Sequence, residues 1–532
     1  MAEHLAGTAL RDHRVVVIGA GMGGLVSALL LACRGLRVTL VEAASSPGGK
    51  IRQIVLDGAA IDAGPTVFTM RWVFDRILQD AGSSVDELLQ LKPLHVLARH
   101  AWRQGGQRLD LLADVKESAD EIARFASPDE ARRYLAFCEE ARRVYATLEG
   151  PAIRSPRPTL AGMIRSLGPS GLRSLAALGP FGTLWTRLGH HFQDPRLRQL
   201  FGRYATYCGA SPWRAPATLM LIAHVEQSGV WSVQGGMHAL AQALAGLATQ
   251  RGAQLHYNRP CERIVVRDGR VAGVRLVGGE ELPADSVVFN GDTQALACGL
   301  LGPAGVSSVP PTPRAMRSLS AMTWAVHGRT SGFPLVRHNV FFDDDYASEF
   351  DDILRSRRMP RQATVYVCAQ DRDDHATAPA GRERLLCLVN APADGDTRPF
   401  DAMETDACEH RSLALMGRCG LRLEARPAQV HRRTPADWAQ RFPATGGALY
   451  GRATDSWMTV FQRPGAATAV PGLVLAGGSV HPGPGVPMAA LSGRLAAAAL
   501  MAHLASTRRL HPVAISGGMS TLSATAGSTA SS

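Results

Sequence analysis

The sequence predicts an α/β fold: a parallel-sheet domain assembled from discontinuous stretches of chain, with an α+β domain inserted into it. Three observations predict this. RVVVIGAG is an apolar strand running into a glycine turn, followed by the helical stretch GGLVSALLLACRG and a second apolar strand, LRVTLVE, which together make a βαβ unit. Much later, a helical pattern over 235–251 leads into strand-like runs near 262–266 and 271–277 that turn at Asp268-Gly269, then into the short strand SVVFN. Near the end, GLVLAG passes through a Pro/Gly loop into a helix from about Val486 to Ala505.

These blocks place the parallel-sheet domain at 12–90, 229–299 and 446–507. The stretches between them, 91–228 and 300–445, form the inserted domain. The first is expected to be mainly helical, and the second mixed, with strands such as TVYVCAQ and RLLCLVN. Residues 511–532 are small, polar and uncharged apart from their lead-in, a composition that predicts disorder.

Nine scattered cysteines with no CxxC pair argue for a reducing compartment and against a zinc or disulfide framework. No secretory signal is legible, so the expected location is cytoplasmic. Val15 to Cys33 carries no charge over 19 residues, long enough to cross a bilayer, but the glycines of GAGMGG and the β character of VVVI argue against a span. The net charge of +11 is concentrated between Arg154 and Arg203, where arginines 154, 157, 165, 173, 187, 196, 198 and 203 face the single acid Asp194. Leu, Ile, Phe and Trp185 are interleaved, which suits peripheral attachment to an anionic membrane surface; a solvated arginine face is the plainer alternative. No zinc-finger or RNP-like spacing accompanies the charge, so nucleic acid is not expected.

The chemistry begins at Gly19, Gly21 and Gly24, a GxGxxG placed directly after a strand and at a helix start, with Glu42 ending the next strand. Such glycines allow a tight turn and close approach of a pyrophosphate to the helix N-terminus, and the carboxylate suits ribose hydroxyls. The spacing serves NAD and FAD alike. Gly48-Gly49-Lys50, Asp62-Ala63-Gly64-Pro65-Thr66 and the second glycine loop LAGGSVHPGPGVPMAALSGR favour a larger cofactor lying across the domain, hence FAD.

With these motifs in place, the chain resembles the bacterial phytoene-desaturase-like carotenoid desaturases, within the amine-oxidase-like flavoproteins. The carriers are VVVIGAGMGGL, EAASSPGGK, DAGPT, VQGGMHAL, HNVFFDDDY, GGALYG and GGSVHPGPGVPMAALSGR, over about residues 12–505. The last motif looks most like the 1-hydroxycarotenoid 3,4-desaturases, also called methoxyneurosporene dehydrogenases. The resemblance implies a Rossmann-like FAD domain in which Gly19, Gly21, Gly24 and Glu42 hold the ADP half. Gly48 and Gly49 precede the basic Lys50, Cys261 offers backbone to the adenine, Gly478 and Ser479 lie at the second loop, and Met488 approaches the flavin pyrimidine ring. The wider group often has an acid where Gly478 stands.

The resemblance further implies an acyclic 1-hydroxycarotenoid as substrate, losing a hydride from C4 to flavin N5 and a proton from C3, with oxygen or a quinone as final acceptor. It implies a peripheral association with the inner membrane. His481 is the foremost candidate base, with His224 and Glu226 behind it; a backbone-bonded loop histidine and a helix surface are the respective alternatives. The acidic run Asp343, Asp344, Asp345, Glu349, Asp351, Asp352 lacks the spacing of a calcium loop and reads as a solvated acidic loop, so no metal is expected. The rival readings are a phytoene or neurosporene desaturase and a non-catalytic carotenoid-binding flavoprotein. A more distant rival, an amine or porphyrinogen oxidase, is disfavoured by the lack of aromatic residues in SVHPGPGVP.

Overall fold

The computed structural model describes residues 12–509 except 104–105, 169–181, 375–377 and 399. The predicted disordered stretch 511–532 lies outside the described residues, as does Arg173. The three separated blocks meet in one five-stranded, all-parallel sheet. Its order is Gln254–His256, Arg37–Val41, Arg14–Ile18, Ser286–Phe289, Leu473–Leu475. Strands buried on both faces need continuous apolar sequence, and VVVI and VVF supply it. The helix Met22–Cys33 covers one face with eleven of its twelve residues buried, and the final helix Val486–Arg509 packs across it.

Two glycines set how closely those helices approach. A Cβ on Gly493 would lie 2.3 Å from the Gly23 carbonyl oxygen, and Ser27 Oγ donates to the carbonyls of both Gly23 (2.8 Å) and Gly493 (3.1 Å). The stretch Val486–Ser506 is apolar and long enough to cross a membrane, but half of it is buried within the protein. The charge-free run Val15 to Cys33 is divided between a strand and a helix, neither of spanning length.

The expected hairpin is present: Cys261–Arg267 pairs antiparallel with Arg270–Leu276, and Asp268 and Gly269 turn at φ +52° and +74°, both left-handed as a two-residue turn requires. Helices predominate in 91–228, but the stretch opens with strands that the sequence reading did not foresee. Val96–Trp102 and Arg108–Leu112 are strands, and Val96–Trp102 pairs in parallel with His338–Phe342. They extend the large sheet formed by Ser320–Gly332, His338–Phe342, Val365–Ala369 and Glu383–Ala391. VLARHAW lacks clean alternation because the strand buries both faces at its end, and its partner is more than 200 residues away in sequence.

Asp62 ties the two regions together. Its buried carboxylate accepts from the N–H groups of Met237 (2.5 Å) and His238 (3.4 Å), at the N-terminus of Met237–Gln250. Its backbone exchanges two hydrogen bonds with the Gln370 side chain, in the turn just past the large-sheet strand Val365–Ala369. Gly236, at φ +86°, is glycine because a Cβ there would sit 2.2 Å from the Asp62 carboxylate.

The acidic run is solvated at Asp344, Asp345 and Asp351 but not, as the sequence suggested, throughout. Glu349 and Asp352 are each 1% exposed. Asp352 is held by Arg358 and Arg361, and Glu349 accepts from Thr364 and Asn390, so partners outside the acidic run compensate their burial. No group of three metal-binding side chains occurs among the described residues.

The tightest contact of the glycine turn is also its most sensitive. A Cβ on Gly24 would stand 2.1 Å from the Gly19 carbonyl oxygen, so Gly24→Ala is expected to cost ~1–3 kcal/mol as the helix is pushed off the sheet. Denaturant unfolding checks this, and a variant as stable as the parent would refute it.

Candidate active site

One large cavity, about 580 Å3, opens where the parallel sheet meets the inserted domain. One wall is made by Gly21, Gly48, Gly49, Lys50, the stretch Gly64–Thr66 and the segment from Gly477 to Ala489. The opposite wall is mainly apolar and includes Ile153, Leu219, Ile222, Val225, Leu386 and Leu388.

The first wall is shaped by missing side chains. Gly48 has φ +118° and would place a Cβ 2.0 Å from the Ile51 carbonyl oxygen; on Gly64 a Cβ would lie 1.9 Å from that of Lys50. The helix Met22–Cys33 starts at Gly21 with no side-chain cap and no acid in its first turn, so its first N–H groups meet no side-chain acceptor. An uncapped helix N-terminus behind a glycine loop is suited to a pyrophosphate. Gly478 leaves its surroundings open, with the nearest atom to a Cβ, Pro484 Cα, at 3.9 Å. The acid that the wider group often carries there is missing, but Asp292 brings a carboxylate to the same wall.

The residues singled out from the sequence divide. Gly21, Gly48, Gly49, Lys50, Gly478, Ser479 and Met488 line the cavity. Lys50 is held in burial that pushes its pKa down, its ammonium donating to the Leu449 carbonyl at 2.5 Å and lying 5.2 Å over the Phe442 ring. Ser479 Oγ accepts from the Thr293 N–H at 3.1 Å. Gly19, Gly24, Glu42 and Cys261 stand behind the wall. Gly19 turns at φ +97°; the Glu42 carboxylate accepts from the N–H groups of Ala20 (2.6 Å) and Ala44 (2.8 Å), with lone pairs left for a ribose. Cys261 opens the hairpin beside the Ile18 and Val41 cluster, and burial pushes its thiol up to about 11.

His481 is turned away from the cavity, although Pro482 and Pro484 line it. It is 3% exposed, its Nε2 lies 2.8 Å from the Ser155 carbonyl oxygen, and burial pushes its pKa down to about 4. The ring therefore donates to backbone as a neutral imidazole and pins the segment around Ser155 to the loop, so the structure withdraws support for it as base. His224 packs on Tyr145 outside the cavity.

Glu226 is on a helix face that looks into the cavity, not on the outer surface. It accepts from the hydroxyls of Tyr204 (2.7 Å) and Tyr207 (3.2 Å), and burial raises its pKa. Sequence reading missed Arg203 as a site residue and treated it as surface charge. It also missed the ring contribution: the Pro/Gly loop has no aromatic residue, but Tyr207, Tyr366, Trp438, Phe442 and Tyr450 reach the cavity from other elements. In sequence they are scattered, and no spacing links them.

A family model described as flavin-containing amine oxidoreductase matches residues 22–501. The chain is 64% identical over 519 residues to hydroxyneurosporene desaturase of Rubrivivax gelatinosus, covering 97% of this chain and 99% of that one. It is 45% identical to hydroxyneurosporene desaturase of Cereibacter sphaeroides, over 93% and 99% of the two chains. The chain belongs to the flavin-containing amine oxidoreductases, and within them to the carotenoid desaturases. Among solved structures, an oxidoreductase from Methanosarcina mazei shares the fold at a TM-score of 0.58 and 16% identity, covering 90% of this chain and 99% of that one. The cofactor of the family is a flavin, FAD, and the glycine-lined wall with its two helix N-termini fits it. When bound, it supplies hydride acceptance; this desaturase supplies the apolar enclosure and the polar groups that orient a substrate.

A neutral buried imidazole has a linkage consequence. The folded pKa of His481 is depressed from 6.5 to about 4, so the unfolded chain binds the proton first and stability falls as pH drops from about 6.5 towards 4. His481→Gln keeps a donor for Ser155 and is expected to remove up to about one proton from that pH dependence, with flavin reduction by substrate within about threefold of the parent. Urea unfolding at several pH values and stopped-flow absorbance check the two parts; loss of reduction with full flavin content would restore His481 as a catalytic group.

Proposed function

We propose that this desaturase removes two hydrogens from C3–C4 of an acyclic 1-hydroxycarotenoid. The observation that carries the reading is the continuity of the cavity, which joins the glycine-lined wall to the apolar wall without an intervening layer of protein. A polyene needs no more than that: a dry apolar enclosure and a C–H bond held against the hydride acceptor. C4 of such a substrate is allylic to the conjugated chain, so positive charge developing there is delocalised, and C3 then yields its proton. The choice of a 1-hydroxylated substrate over an unhydroxylated one is supported by the names of the similar desaturases in Rubrivivax gelatinosus and Cereibacter sphaeroides.

Anaerobic mixing of the holoprotein with a 1-hydroxy acyclic carotenoid is expected to bleach the flavin and give a product two hydrogens lighter with red-shifted absorbance. Phytoene is expected to react at least about tenfold more slowly. Equal rates would favour a general phytoene desaturase, and no bleaching by either substrate would favour a carotenoid-binding flavoprotein.

The membrane reading is narrower than the charge run implied. Arg154, Arg187 and Arg196 are committed to Glu149, Glu140 and Asp194, Arg198 lies on the Trp185 ring, and Arg203 faces the cavity. Arg157 and Arg165 remain exposed, on either side of Leu160, which is 47% exposed. This patch is proposed to meet anionic headgroups at the inner membrane. At roughly 1 kcal/mol per headgroup contact, replacing both arginines by glutamine is expected to weaken sedimentation with phosphatidylserine-containing vesicles at least about tenfold at low salt. Unchanged sedimentation would reject it.

A further inference from the structure

The apolar wall of the cavity contains a guanidinium and a carboxylate that do not pair with each other. Arg203 makes no ion pair among the described residues. It donates to the Tyr207 hydroxyl at 3.1 Å and lies over the rings of Tyr207 (5.3 Å) and Tyr366 (5.2 Å). Among the described residues the Glu226 carboxylate accepts from tyrosine hydroxyls alone. Both charges line the same cavity, where enclosing a charge without a partner is costly unless something else repays it.

The Tyr207 hydroxyl shows what fits between them. It accepts from Arg203 and donates to Glu226, at 3.1 and 3.2 Å, so a single O–H group bridges the cation and the anion. Neither partner is exhausted by this bond. A guanidinium has five N–H donors and a carboxylate about four acceptor sites, of which Tyr204 and Tyr207 occupy two. An alcohol has the matching pair of functions, one acceptor oxygen and one donor hydrogen. An ether has only the first, and a hydrocarbon neither.

The position agrees with the reaction. Tyr366, under Arg203, shares a 2.6 Å hydrogen bond with Thr66, which lies on the cofactor side of the cavity. The cluster is thus one ring away from that wall. C1 of the substrate is three bonds from C4, so the group that reads its hydroxyl must lie close to the reacting end, not at a remote end of the enclosure.

We infer that Arg203 and Glu226 together recognise the tertiary C1 hydroxyl of the substrate, Arg203 donating to its oxygen and Glu226 accepting its hydrogen. This rests on the proposed function and names the specificity-determining pair within it. It explains how a cavity with an apolar wall discriminates between chains that differ by one oxygen. Apolar contacts alone do so weakly, whereas a hydrocarbon in this site leaves two buried charges unanswered.

The test is anaerobic single-turnover flavin reduction with three substrates: a 1-hydroxy acyclic carotenoid, its 1-methyl ether and the parent hydrocarbon. The wild-type holoprotein is expected to reduce fastest with the alcohol. In Arg203→Met and Glu226→Met, with flavin content unchanged, the alcohol-to-hydrocarbon rate ratio is expected to fall at least about tenfold, the hydrocarbon rate rising as an unanswered charge is removed. Glu226→Met is further expected to make the alcohol and its ether equivalent, which loss of packing would not do. If either methionine variant fails to retain flavin, Arg203→Lys and Glu226→Gln read the same ratio, with a fall of at least about threefold required. A wild-type ratio near one would overturn the proposed function and this pairing with it. A large wild-type ratio that the variants preserve would overturn the pairing alone.

Discussion

The Asn290 side chain is the constraint around which the cofactor half of the molecule is built. It follows the strand Ser286–Phe289, donates from Nδ2 to the Gly19 carbonyl at 3.2 Å, and fills the space in which side chains on neighbouring segments would begin. A Cβ on Gly21 would lie 2.7 Å from its Nδ2, one on Gly23 2.7 Å from its Oδ1, and one on Gly477 3.1 Å from its Oδ1. The glycines of the first and last blocks are thus required by an amide from the middle block. Three stretches distant in sequence are packed backbone against side chain at one point, and the openness of the glycine wall follows from that packing.

From that point the architecture extends outward in two ways. The parallel sheet is completed by hydrogen bonding between blocks, and the inserted region is fastened to it by the Asp62 side chain and the Gln370 amide. The cavity between them has one wall defined by absent side chains and another lined by apolar ones. The same packing places polar groups where solvent cannot satisfy them freely. Some are answered from within, as Glu349 is by Thr364 and Asn390. Among the described residues Arg203 and Glu226 are answered by tyrosine hydroxyls and rings, which leaves donors and acceptors over for the ligand inferred above.

Membership of the amine oxidoreductase fold family settles the cofactor but not the substrate, because one architecture serves amines and polyenes alike. The aromatic residues around the cavity illustrate this. Their absence from one loop says nothing about the site, since Tyr207, Tyr366 and Tyr450 arrive from three other parts of the chain. Chemistry specific to this branch therefore has to be sought in the wall opposite the flavin, where the inserted region contributes most of the surface.

Sequence by itself determined the βαβ unit, the glycine turn, the left-handed hairpin turn at Asp268-Gly269 and the second glycine loop, because each depends on neighbours within a few residues and on backbone conformations that few residues adopt. It also determined that the outer blocks share one sheet, since apolar strands of that length need burial on both faces. Only the tertiary structure decided that Val96–Trp102 joins the large sheet, that His481 points at Ser155, that Asp352 is buried against arginines, and that Arg203 and Glu226 meet at one hydroxyl. The first two of those outcomes depend on partners more than 200 residues away, and all of them on which face of a helix or strand the packing turns inward. Local pattern carries the propensity to form an element, while the charge or hydrogen bond that a side chain finds is a property of the assembled packing.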